Sequence, residues 1–174
     1  MNHYRTGFNP EHNGEYSEHN NNIKEKNVSL RLLNTGFMNI DKIKEVLLKR
    51  DGLSNTLGME FISTPDPDTC QARMKVDERN RQIFGFLSGG ASLALAENLA
   101  GVGSLALCPN NICVGINVSG SHVKAVLDGD TVTATAHILH KGKTLHQWHV
   151  DIRNGAGDLI SSVEVTNFVM NKPK

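Results

Sequence analysis

Between Gly85 and Cys108 the chain reads Gly-Phe-Leu-Ser-Gly-Gly-Ala-Ser-Leu-Ala-Leu-Ala-Glu-Asn-Leu-Ala-Gly-Val-Gly-Ser-Leu-Ala-Leu-Cys, and Glu97 is the one acid in it. Acids are almost never fully buried unless they are paired or functional. A carboxylate set among alanines and leucines can attack a carbonyl, directly or through a water that it deprotonates. That chemistry also needs donors aimed at the developing oxyanion and a slot for the acyl group. Gly89-Gly90, at the start of the run, can offer such donors. A helix beginning there presents free N–H groups and the positive end of its dipole.

Positions three, four and seven away from Glu97 share its helix face, among them Gly90, Ala94, Ala100, Gly101 and Ser104. All are small, so another backbone or a ligand can approach beside the acid. Glu97 lies about two turns, roughly 11 Å, beyond the glycine pair. One helix therefore cannot bring its own acid to its own N-terminus. Two such helices side by side and antiparallel, in a twofold dimer, would bring one chain's acid to the other's turn. Ser88 and Ser92 are candidate helix caps.

Other groups read as less chemical. His137 and His140 fall on opposite strand faces by alternation, as do His146 and His149, so neither pair chelates from one face. His3, His12 and His19 are widely spaced in polar sequence. No metal is expected. No Gly-x-Ser-x-Gly elbow occurs, which disfavours a serine nucleophile.

The elements that must position these residues follow from the patterning. The chain has 174 residues, zero formal net charge and a pI near 7.1, which suits one domain and argues against a broad nucleic-acid footprint. Cys70, Cys108 and Cys113 form no CxxC pair, and a reducing cytoplasm is expected. No uncharged membrane span or signal-type segment is evident, so no membrane association is expected. Residues 1–37 are rich in Asn, His, Glu and Gly and read as a disordered tail, with a single domain over 38–174. Ile40, Ile43, Val46 and Leu47 predict a short helix over about 40–50, with Asn39 or Asp41 as its cap. Strands are predicted at 57–64 and 69–76, joined as a hairpin across Pro65-Asp66-Pro67-Asp68. Four more are predicted: 112–118 with an extension towards Val126, 131–139, 145–153 and 159–170, with explicit glycine turns between the later ones. Short turns predict an antiparallel meander. The economical architecture is α+β, a curved antiparallel sheet wrapped round one long central helix.

The element order, the Gly-Phe-Leu-Ser-Gly-Gly-Ala turn, the Leu-Ala-Glu on the helix, and the later Ser-His-Val-Lys-Ala and Lys-Gly-Lys-Thr segments together resemble hotdog-fold acyl-CoA thioesterases. The similarity is to the 1,4-dihydroxy-2-naphthoyl-CoA and 4-hydroxybenzoyl-CoA thioesterase branch, including thioesterases like those of phenylacetate pathways. It covers about residues 40–170.

The resemblance implies a catalytic carboxylate at Glu97, as nucleophile or general base. It implies a glutamine at Gln82 that places the thioester or the water, and a backbone N–H at Gly89, within the Gly89-Gly90 pair, that polarises the carbonyl. Ser88 stands where the family usually has the histidine of His-Gly-Gly, and Gly101 where some relatives have a water-holding serine. His122, Lys124, Lys141 and Lys143 lie in segments that contact the nucleotide part of coenzyme A in the family, and basic residues suit its phosphates. The implied activity is hydrolysis of an aromatic or medium-chain acyl-CoA, with no cofactor beyond the coenzyme A of the substrate. The implied assembly is a homodimer, paired further into a dimer of dimers. The departures at Ser88 and Gly101 leave a non-catalytic acyl-CoA or aromatic-acid binding protein as the alternative. A dehydratase is the third class, disfavoured by the missing histidine at 88.

Overall fold

The structure, a computed structural model, describes residues 37–49 and 52–172. The tail expected over 1–37 lies outside the described residues apart from Phe37. Two short helices, α1 (Asp41–Leu48) and α2 (Leu53–Thr56), precede strands β1 (Met59–Ile62) and β2 (Thr69–Lys75). The long helix α3 (Gly89–Leu107) follows, and then β3 (Asn111–His122), β4 (Thr131–Lys141), β5 (Leu145–Arg153) and β6 (Leu159–Asn171).

All six strands form one antiparallel sheet in the order β1-β2-β4-β5-β6-β3, curled around α3. The sequence predicts this α+β hotdog arrangement, and alternation explains it. Val132, Ala134 and Ala136 of β4, Trp148, Val150 and Ile152 of β5, and Val163 and Val165 of β6 all point at the helix and are buried. From α3 come Leu95, Ala96, Leu99, Ala100 and Val102. By length and composition α3 could cross a membrane, but here the sheet covers its apolar side. Gly103 allows the close approach. A β-carbon there would stand 2.7 Å from the Trp148 ring and 2.9 Å from Cys70 Sγ.

The meander holds for β4, β5 and β6. Strand β3 departs from it: it pairs with β6 and forms a sheet edge, while β4 pairs with β2. Its two glycines and its polar Asn117, Ser119 and Ser121 give β3 little to bury, which suits an edge. A register irregularity between Gly115 and Asn117 leaves Ile116 out of the ladder with β6.

At α1 the side chain of Asn39 accepts a hydrogen bond from Asp41 N at 3.0 Å. Asp41 instead accepts a bond from the Ser63 hydroxyl. Helix α2 went unread in the sequence, because four residues carry no helical period.

Candidate active site

The N-terminus of α3 opens onto a cavity of about 320 Å³, lined among others by Gln82, Gly89, Ser92, His122, Lys124 and Ser161. A strap of backbone bonds fixes the chain that enters the helix. Ser88 N donates to Asn80 O, Leu87 N to Val126 O and Gln82 N to Phe86 O, at 2.8–2.9 Å. Gly85 closes the turn with φ +78°, a conformation that favours glycine, and Arg81 pairs with Asp128 beside it. Ser88 occupies the N-cap position but its hydroxyl caps nothing. Ser92 reaches back to Ser88 O at 3.4 Å instead.

His122 leaves the end of β3 and lays its ring on the first turn of α3. A β-carbon at Gly89 would sit 2.6 Å from His122 Nε2, so that contact demands a glycine. The other ring nitrogen, Nδ1, shares a 2.9 Å hydrogen bond with Ser161 Oγ, and Ser161 is fully buried. Lys124 lies on the same wall and its ammonium pairs with Asp158 at 2.6 Å. That pairing holds the exposed Asp158 carboxyl below the usual carboxylate range. Helix N–H groups, an imidazole and an ammonium thus converge on one concavity, an arrangement suited to an oxygen gaining charge or to an anion.

Glu97 does not line this cavity. Its side chain lies against β3, over Gly115. A β-carbon at Gly115 would fall well inside contact distance of Glu97 Oε1 and 3.1 Å from its Cγ and Cδ. Beside the acid the helix is partly open: Gly90 is exposed, Ala94 and Gly101 are partly exposed, and nothing lies within 4 Å of a β-carbon built on Gly101. Ala100 and Ser104 do not belong to this open face, contrary to the helical spacing. Both are fully buried against the sheet. The sheet curls far enough to cover them, and periodicity along the helix cannot reveal that.

Among the predicted site residues, one chain therefore brings together Gln82, Gly89, His122 and Lys124. Ser88 and Gly90 flank Gly89 at the same helix end. Glu97 and Gly101 stand further along α3. Lys141 and Lys143 sit at the β4–β5 turn, next to His146, which packs on Cys108 at the C-terminal end of α3. The length of α3, on the order of 27 Å, separates them from His122 and Lys124 within a chain.

His146 and His149 part as alternation predicts, but His137 and His140 do not. The irregularity between Ile138 and His140 sets them opposite His149 and Gln147, so both lie exposed on the outward face. His146 is buried, and burial lowers its pKa below the ordinary value. His149 faces outward between Glu164 and Asp151, and its hydrogen bond to Glu164 raises its pKa. Ser161 and Gly115 were missed in the sequence. Ser161 meets His122 only through the β3–β6 register, which pairs the two directly, and that register is not readable from either strand alone.

The comparisons with known proteins bear on the family and the fold. Residues 84–161 match the family model described as the thioesterase superfamily. A 1,4-dihydroxy-2-naphthoyl-CoA hydrolase from Listeria monocytogenes is 32% identical over 124 residues, covering 71% of this chain and 99% of that protein. The proofreading thioesterase EntH of Cronobacter turicensis is 36% identical over 115 residues, or 66% of this chain and 82% of the relative. The crystal structure of a thioesterase from Haemophilus influenzae superposes with a TM-score of 0.67 at 32% identity, covering 72% of this chain and 87% of that one. With a helix-end cavity and a core-helix acid on the same fold, the chain belongs to the thioesterase superfamily and is a thioester hydrolase.

Proposed function

We propose that the chain hydrolyses an acyl-CoA thioester with an aromatic or medium-chain acyl group, using Glu97 as nucleophile or general base. One observation carries the reading. The helix that opens the cavity at Gly89 also carries the acid, but on a stretch outside that cavity. A second copy, related by a twofold axis, would supply the missing half to each site.

In the general-base route the water oxygen bonds to the thioester carbon while Glu97 takes a water proton. The oxyanion is met by Gly89 N–H of the other copy, with Gln82 holding the thioester or the water. Collapse breaks the C–S bond, and coenzyme A leaves as the thiol once its sulfur regains a proton. In the nucleophilic route the carboxylate itself bonds to the carbon, the C–S bond breaks and coenzyme A leaves as thiolate to be protonated by water. A second water then hydrolyses the resulting anhydride to the free acid and the Glu97 carboxylate.

Ser88 stands at the turn where the resemblance implies a histidine. His122 and Lys124 suit the phosphates of coenzyme A, joined by Lys141 and Lys143 of a second copy rather than of the same chain, while Gly90 and Gly101 leave room for the ligand. The Listeria relative, a 1,4-dihydroxy-2-naphthoyl-CoA hydrolase, supports an aromatic acyl-CoA substrate. Three free cysteines support work in the reducing cytoplasm.

Thiol release from a panel of aromatic and medium-chain acyl-CoAs tests the activity. Glu97→Ala should lower kcat by about 100-fold or more, the range of a lost general base. An undiminished rate in that variant refutes the role of Glu97. Tight binding without turnover across the whole panel would favour the non-catalytic alternative.

A further inference from the structure

Resting on the reading of Glu97 as the catalytic carboxylate, we propose that Gly115 of β3 is its positioning residue. The empty volume above Gly115 is the seat in which the carboxylate lies, and the strand backbone is the wall that aims it.

The geometry is specific to this glycine. Gly115 does not adopt the left-handed backbone conformation that favours glycine. Its backbone would accept alanine. What a side chain would displace is the acid, since a β-carbon would overlap Glu97 Oε1 and crowd Cγ and Cδ at 3.1 Å. No other group comes nearer to that β-carbon than these three atoms of Glu97. The surroundings favour a seat of fixed shape. Gly115 pairs directly with Asn167 of β6, and Asn167 is fully buried and tied to Ser104 of α3 at 2.9 Å. The register irregularity beside Gly115 shifts the strand locally, a device often found next to active sites. Helix and strand are thus clamped a few residues from the acid, and the glycine supplies the gap between them.

The consequence can be separated from stability. The overlapping atom is the far end of a flexible side chain, so alanine at 115 is accommodated by moving the carboxylate on the order of 1 Å to restore van der Waals contact. Misplacing a catalytic group by that much costs about 100-fold in rate.

The experiment uses the full chain and steady-state thiol release from the best acyl-CoA of the panel. Gly115→Ala should lower kcat by about 100-fold. KM should stay within about threefold, and the melting temperature and chromatographic mass should match the parent. In a Glu97→Asp background the overlapping Oε1 is gone and the closest remaining contact is the one at Cγ, 3.1 Å away, so adding Gly115→Ala should cost only about threefold. This non-additivity is expected only of residues in contact. If Glu97→Ala abolishes turnover but Gly115→Ala leaves kcat within threefold, the positioning role is refuted and the acid stands. If Gly115→Ala is equally damaging with Asp at 97, or acts by lowering the melting temperature, the glycine is merely structural and the proposal fails. If Glu97→Ala retains the full rate, the underlying assignment of the acid has failed instead.

Discussion

The imidazole of His122 is fixed on two sides. Nδ1 meets the buried Ser161 hydroxyl at 2.9 Å, and Nε2 rests on Gly89, where no side chain intervenes. Removing the hydroxyl leaves the ring free to turn away from the helix end without opening the core. Ser161→Ala should therefore raise KM for the acyl-CoA about threefold to tenfold, the worth of one neutral hydrogen bond, with kcat little changed. Steady-state kinetics on the variant check this, and an unaltered KM would show that the ring needs no such support. At this scale the sequence exposes residues whose type is odd for their surroundings. Glu97 stands out among alanines, and the paired glycines at 89–90 stand out at a helix start. It hides residues whose importance comes from a neighbour across the sheet. Ser161 lies 39 positions from His122, and Gly115 is unremarkable until the structure brings Glu97 onto it.

α3 is held to the sheet by more than its leucines. Ser104 Oγ accepts hydrogen bonds from Trp148 Nε1 and Asn167 Nδ2, both at 2.9 Å, and lies 3.0 Å from His146 Nδ1. Two accepted bonds use both lone pairs, so the hydroxyl proton goes to His146 Nδ1. The ring is then neutral with its proton on Nε2, in keeping with a pKa lowered by burial. All four side chains in this node are fully buried. Ser104→Ala strands two donors and one acceptor away from water, each costing about 1–3 kcal/mol. Partial relaxation should leave a net loss of about 2–5 kcal/mol in urea denaturation. A loss under about 0.5 kcal/mol, the size of an ordinary surface change, would mean that the node does not tie helix to sheet. The element itself was legible, because its length, its apolar composition and the turn before it mark a core helix. Its faces were not. Spacing puts Ser104 beside Glu97, yet the curl of β5 and β6 decides which residues are covered.

Across the whole molecule the informative feature is the free edge. Among the described residues β3 is a twelve-residue strand with a partner on one side only, and such an edge offers a row of unpaired N–H and C=O groups. It also carries apolar side chains that the other described residues leave uncovered, Val114 at 40% and Ile116 at 58% exposure. The position of β3 was not readable from the chain order, because pairing with β6 closes across two intervening strands and only the finished sheet reveals it. A second β3 laid antiparallel on this edge would continue the sheet, cover both side chains and set two α3 helices side by side. The acid of each could then face the other's Gly89 end. Ile116→Lys should oppose this pairing by placing like charges in one seam, since both copies carry the change. The expected result is a halved mass by light scattering, with kcat/KM lowered at least about tenfold, because each monomer keeps one half of each site. Dilution of the parent protein should produce the same loss, reversed on concentration. A variant that runs as a monomer and hydrolyses thioesters at the parent rate would place acid and oxyanion donors within one chain, which the two turns of helix between Glu97 and Gly89 oppose.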